Sequence, residues 1–428
     1  MRLCIKSTSG KKTQEGQEGP GHKMFHFGVL YLMKNIMRRI YLDYTATTPV
    51  DRRVVETMAP YFTSAFGNAS SIHSFGREAK AALEQSRESI AALIGARSSE
   101  VYFTSGGTES DNTALLGLAA RYGSKKKRLI ISAIEHHAIL HSAEVLSKNG
   151  FDVKILPVDS QGIMQEEALL DSITPETFLV SVIHVNNETG VIQNLTRLAA
   201  IAHEKGALFH TDAVQSFGKI GFNVEETGVD LASFTAHKIY GPKGVGALYV
   251  RRGIELDPLL HGGSQERNRR AGTESIPLVA GFSKAAELAV EEMQQEHDRL
   301  FTLNSGMRNI ISEKVPAAIF NSQADNSLPN ILSVSIDSRE VDIDGEALII
   351  NMDLEGIAVT SGSACSSGSL QPSHVIKALG RDDRTTMATV RFSFGRYTTE
   401  DELSFAADRL AEIVERIGRK KKISPRAS

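Results

Sequence analysis

The sequence predicts an α/β protein with a mostly parallel, seven-stranded type of sheet covered by helices on both faces, followed by a smaller α+β domain. Three observations carry this reading. Seven short apolar runs between residues 101 and 250 alternate with segments of helical periodicity. The chain has 428 residues, more than the roughly 250–300 at which one hydrophobic core stops growing. A charged, largely helical stretch at 274–315 separates this alternation from a second set of elements.

The elements follow in order. REAKAALEQSRESIAALIG (77–95) has apolar residues at helical spacing and stops at Gly95. VYFTS (101–105) reads as a buried strand, SDNTALLGLAARYG (110–123) as a helix. LIISA (129–133) is a strand, and HSAEVLSKNG (141–150) a helix closed by Gly150. VKILPV (153–158), FLVSVIH (178–184), ALFHTD (207–212), VDLASFT (229–235) and GALYV (246–250) are further strands. In the second unit ILSVSI (331–336) and RFSF (391–394) read as strands and GEALIINMDLEG (345–356) as helical. TTEDELSFAADRLAEIVERIG (398–418) is an amphipathic helix with threonine caps available at its start and Gly418 at its end.

Composition narrows the function. Net charge is −3 and pI about 6.5, which gives no footing for nucleic acid or an anionic membrane. No apolar run approaches the ~20 residues of a membrane span. The two cysteines, Cys4 and Cys365, form neither a disulfide framework nor a CxxC pair. A reducing, cytoplasmic setting is expected. Residues 1–39 read as a disordered tail or as sequence upstream of the true start, with Met24, Met33 and Met37 as candidate starts. The basic opening also fits a mitochondrial transit segment, though on composition alone.

Ligands of such sheets bind beyond the carboxyl ends of the strands, so the chemistry is sought there. FTSGGTESDN (103–112) runs from strand through Gly107 and Thr108 into a helix, a cradle for an anion. A plain turn is the ordinary alternative. Asp212 follows a strand in FHTDAVQS (209–216), where it can face a ring nitrogen or merely cap a helix. Lys238 ends the strand of SFTAHKIYGPKGVG (233–246) among small residues. Such a lysine, poorly solvated, can serve as an imine-forming amine, although most lysines lie on the surface. Anion cradle, acid and lysine in this order on one sheet are the set that pyridoxal 5'-phosphate needs.

Further stretches accompany these: YLDYTATTPVD (41–51), GNASSIHSFG (67–76), EHHAIL (135–140), HVNNETG (184–190), HKIYGPKGVGALYVRR (237–252), HGGSQERNRRAGTES (261–275), LPNILSVSI (328–336), SGSACSSGSLQPSHVIKALG (361–380) and RFSFGRYTTE (391–400). The ordered set resembles the cysteine desulfurases of the NifS/IscS type, in the class V aminotransferase family of fold-type I pyridoxal-phosphate enzymes. The resemblance covers nearly the whole chain after the tail. It implies a division into a segment 40–55 that joins the small domain, a large cofactor-binding domain 56–295, a small domain 296–418 carrying the cysteine loop, and a basic tail 419–428.

The resemblance also implies roles. Lys238 would hold the cofactor covalently, Asp212 would pair with its ring nitrogen, and Gln215 would bond its phenolic oxygen. Thr108, Thr235 and His237 would bind the phosphate, with Gly107 supplying backbone. His136 would stack on the ring and move protons, while its neighbour His137 reads as an ordinary loop histidine. Asn187 and Arg391 would hold the substrate carboxylate, a group suited to the planar fork of arginine. Thr273 matches a residue that reaches the phosphate of the other subunit, which implies a homodimer with composite sites.

Cys365 then becomes the nucleophile. L-cysteine would yield L-alanine and a Cys365 persulfide, and the sulfur would pass to an acceptor such as an iron–sulfur scaffold protein or a tRNA-thiolation route. No metal is expected to be held by the chain alone, and Cys365 is the residue that would meet a transferred iron–sulfur cluster. Selenocysteine lyase, another aminotransferase or lyase of the fold, and a non-catalytic sulfur-handling scaffold are the rival readings. The ending RKKKISPRAS (419–428) departs from the closing motif of scaffold-docking members.

Overall fold

The computed structural model describes residues 39–362 and 371–420. After a short first strand, β1 (Ile40–Tyr41), come β2 (Val101–Thr104), β3 (Arg128–Ser132), β4 (Asp152–Leu156), β5 (Thr177–Ser181), β6 (Leu208–Asp212), β7 (Leu231–Thr235) and β8 (Gly246–Val250). The last seven form one sheet in the order β2-β8-β7-β6-β5-β3-β4. Strands β7, β6, β5, β3 and β4 are parallel, and β8 is antiparallel to both β7 and β2. Strand β2 therefore runs with the parallel set, and Thr104 and Thr235 both pair with Gly246. The carboxyl ends of β2, β3, β5, β6 and β7 share one edge.

Successive residues of a strand point to opposite faces, and both faces are buried here. Phe103, Ile130, Val180, Phe209, Phe234 and Tyr249 join the core on one side of the sheet. Their neighbours Tyr102, Leu129, Ile131, Leu179, Leu248 and Val250 join the core on the other. That is why the strands read as continuous apolar runs rather than alternating ones.

Two helices begin earlier than the periodicity places them. The helix expected from residue 110 spans Gly107–Tyr122, because Glu109 Oε2 accepts the Ser105 N–H at 2.8 Å and ties down its first turn. The helix expected from residue 141 spans His137–Lys148, capped by His136 Nδ1, which accepts the Ala138 N–H at 3.1 Å. Both glycine and histidine lie outside the strong N-cap signals, so neither start shows in the sequence.

The helix Ile276–Lys314 runs unbroken for 39 residues. Val279, Phe282 and Ala286 in its first half belong to the large core, Leu300, Met307 and Ile311 to the second. In that second unit β9 (Ala318–Phe320), β10 (Ile331–Ile336), β11 (Val341–Asp342), β12 (Ile357–Ala358) and β13 (Thr389–Ser393) appear in turn. Strand β10 lies between antiparallel β13 and β9. Strand β1 pairs in parallel with β12, which sets the chain's first described residues on this unit. The terminal helix Glu400–Ile417 has a full capping box between Thr399 and Glu402. Arg419–Lys420, read from the sequence as the start of the basic tail, form strand β14 against β11. Among the described residues no helix is long and apolar enough to cross a membrane.

One buried ion pair locks the edge of the large sheet. Arg87 and Glu266 meet in a two-pronged contact at 2.6 and 2.8 Å, with side chains only 3% and 2% exposed. Glu266 Oε2 also accepts the Phe103 N–H of β2, and Arg87 donates to the Val101 carbonyl. The pair holds a turn in which Glu266, Arg267 and Asn268 all have positive φ, at 44°, 57° and 65°. Such backbone is strained for residues with a Cβ and persists only where its surroundings fix it. We expect Glu266→Gln to lower unfolding stability by about 3 kcal/mol, since it leaves the buried Arg87 guanidinium only the partly exposed Glu84 as a charged partner. Arg87→Met combined with Glu266→Leu should cost less than the single change, as read from denaturant midpoints.

Candidate active site

A cavity of about 370 Å³ opens on the shared edge of the strands. Gly107, Thr108, His136, Asn187, Asp212, Gln215, Thr235, His237, Lys238 and Arg391 all line it. Residues separated by nearly 300 positions thus meet at one point, because β2, β3, β6 and β7 end together and β13 brings Arg391 across from the second unit. Thr273 does not line the cavity; it is exposed at the surface. Cys365 lies outside the described residues.

The glycine turn after β2 is shaped for close approach. Gly106 has φ +155°, and a Cβ on Gly107 would come within 2.6 Å of Val214 Cγ2. The backbone N–H groups that open the helix Gly107–Tyr122 stand at the cavity, beside Thr108, Thr235 and His237, as an anion cradle requires. Thr235 and His237 stand at the adjoining end of β7 and line the same region.

Lys238 is held by backbone of the N-terminal segment. Its Nζ donates to the carbonyl oxygens of Thr45 at 2.5 Å and Ala46 at 2.7 Å. Gln215 Nε2 donates to the same Thr45 carbonyl at 3.1 Å, and Gln215 Oε1 accepts from Lys219. Thr45 is anchored in turn by Ser393 Oγ of β13. Burial, followed by the nearby Arg391 charge, lowers the Lys238 pKa to about 8. The amine is thus available in neutral form much nearer physiological pH than an ordinary lysine.

Asp212 is buried, and its carboxylate accepts the Val214 N–H at 2.9 Å. Burial raises its pKa to about 6, with Lys238 acting in the opposite direction. Asp111 lies beside it and is pushed up by burial and then by the Asp212 charge. Asp111, His136 and Asp212 bring ligand atoms within 4.8 Å of one another. His136 is held neutral, its pKa lowered to about 4 by burial and then by Lys238. Its Nδ1 accepts the Ala138 N–H, so the ring proton resides on Nε2.

Arg391 donates from Nη1 to the Asn187 carbonyl at 2.8 Å and from Nη2 to Asp43 at 2.9 Å. Two cavity-lining residues keep a buried polar atom without a partner among the described residues, Asp111 Oδ1 and Arg391 Nε.

Sequence reasoning did not single out Asp43, Asp111 or the Thr45 and Ala46 carbonyls. Asp43 and Thr45 lie in YLDYTATTPVD and Asp111 in FTSGGTESDN. The acid in each stretch was the available signal, but its partner lies elsewhere in the chain.

Comparison with known proteins agrees with this geometry. The aminotransferase class-V family pattern matches residues 40–405. The chain is 46% identical over 380 residues to the cysteine desulfurase IscS of Dictyoglomus turgidum, covering 89% of this chain and 95% of that protein. Among solved structures, a NifS-like protein superposes with TM-score 0.83 at 38% identity, over 89% of this chain and all of its own. SspA, solved in complex with cysteine, gives 0.73 at 36% identity, over 84% of this chain and 100% of that one. The chain belongs to the aminotransferase class-V family, among its cysteine desulfurases of the NifS/IscS type.

Proposed function

We propose that this chain takes sulfur from L-cysteine with pyridoxal 5'-phosphate as cofactor, leaving L-alanine and a persulfide on Cys365. The observation that carries the reading is the pairing of a half-buried, easily deprotonated lysine with a buried acid at the ends of adjoining strands β7 and β6. When bound, pyridoxal phosphate supplies the electron sink that weakens the bonds around the substrate's α-carbon.

The chain's own residues divide the remaining work. Lys238 is the amine that holds the cofactor, and Asp212 is the carboxylate that keeps a ring nitrogen protonated. Gly107, Thr108, Thr235 and His237 hold the phosphate, Gln215 the phenolic oxygen. Arg391 and Asn187 receive the substrate carboxylate, which must compete with Asp43 for the guanidinium. His136 covers the ring as a neutral imidazole. The Cys365 thiolate attacks the substrate sulfur, the carbon–sulfur bond breaks, the carbon takes up a proton, and the sulfur stays on Cys365. Thr273, exposed in one chain, completes the phosphate site of a second copy in a homodimer. The sulfur then leaves for an acceptor protein of the iron–sulfur scaffold kind.

Mass spectrometry of the Cys365 peptide after treatment with L-cysteine should find one added sulfur atom. Cys365→Ala should lose sulfide release; equal release by this variant sinks the persulfide route. Lys238→Ala should lose the visible absorbance of the bound cofactor.

The lowered pKa gives a second test. Lys238 is cationic below pH 8 and neutral above it. In cofactor-stripped protein, its acylation by an amine-directed reagent should rise with pH and reach half its plateau near 8. A half-point near the ordinary lysine value of about 10.4 would contradict the burial argument. Peptide mapping reads the outcome.

A further inference from the structure

A second lysine, Lys219, stands beside Gln215, and the motifs give it no role. Both residues belong to one tight turn after β6. The Ser216 and Phe217 N–H groups bond the Ala213 carbonyl, and the Lys219 and Ile220 N–H groups bond the Ser216 carbonyl. Gly218 has φ +69°, which reverses the chain just before Lys219. A Cβ on Gly218 would come within 2.7 Å of Ala289 Cβ, so the turn fits closely against the helix Ile276–Lys314. The turn brings Lys219 Nζ to 3.1 Å from Gln215 Oε1.

Lys219 approaches from outside the cofactor cavity. Gln215 lines that cavity and Lys219 does not. Lys219 lines a smaller cavity of about 60 Å³, together with Tyr240, Asn330 and Arg396. The placement is costly for an amine. Burial and then the Lys238 charge lower its pKa to about 7, and no anion offsets them. The two ends of a glutamine amide have the same shape and opposite polarity. A lysine ammonium has hydrogens and no acceptor, so the end that meets it is the oxygen. Nε2 is then turned to the other side, where one of its two hydrogens goes to the Thr45 carbonyl at 3.1 Å. The other remains for a ligand in the cavity.

We propose that Lys219 is a positioning residue that holds the Gln215 amide with its oxygen turned away from the cofactor cavity, so that Gln215 presents only a donor to the phenolic oxygen of the cofactor. This rests on the cofactor reading above and adds to it the group that sets the polarity of Gln215.

The test is pH titration of the visible absorbance of the purified holoenzyme. The proton on the link between Lys238 and the cofactor is shared with the phenolic oxygen, and a donor on that oxygen weakens its hold. Lys219→Met keeps the length and removes the donor. It should raise the titration midpoint by about one pH unit, the size of one hydrogen bond to a charged group. In a Gln215→Ala background the same substitution should move the midpoint by less than about 0.3 pH unit, the additivity error of such a cycle. A midpoint unchanged by Lys219→Met overturns the proposal. So does a full-sized shift that persists in Gln215→Ala, which would make Lys219 a remote charge and not a positioning residue. Lys219→Leu repeats the measurement if a melting curve shows the methionine variant unfolded. Wild-type protein without a visible band would sink the cofactor reading and this proposal with it, whereas a wild-type band leaves that reading standing whatever the variants do.

Discussion

A half-buried amine needs acceptors, and the arrangement around Lys238 follows from that need. An ammonium taken out of water without partners is strongly disfavoured. Here the partners are two backbone carbonyls, those of Thr45 and Ala46. Because they belong to a segment that pairs with neither neighbour of β7, that segment must itself be fixed. It is fixed by Ser393 on Thr45 and by Arg391 on Asp43, both from β13. One desolvated nitrogen therefore ties together the large sheet, the first described strand and the second unit.

The same reasoning explains which parts of the molecule were legible in the sequence. The strands were, because a sheet buried on both faces writes itself as apolar runs. The residues at strand ends were legible for a related reason: Asp212 and Lys238 interrupt those runs with charge where charge is costly. Ten of the residues that the motifs single out line one cavity. Helix starts were not legible where the cap is Gly106 or His136, since neither belongs to the strong capping residues. Asp43 was not legible either, because its partner Arg391 lies 348 residues away and leaves no local pattern.

The Arg87–Glu266 pair shows how a surface feature can rest on a buried one. Three consecutive residues with positive φ would relax if released, and the ion pair beneath them prevents it. The exposed Thr273 lies only a few residues further along. The ion pair thereby fixes the backbone on which the stretch leading to that threonine begins.

The clasp of Asp43 by Arg391 also orders events in time. These residues are made far apart: at roughly 5–20 residues per second, 348 residues separate their synthesis by roughly 20–70 s. During that interval the large sheet can form while the segment that covers Lys238 lacks its anchors on β13 and keeps only those on the large unit, such as the Thr48 N–H on the His237 carbonyl. A chain that terminates before β13 lacks both the clasp and the arginine of the site. The clasp thus makes the covering of Lys238 depend on β13, a strand made near the far end of the chain.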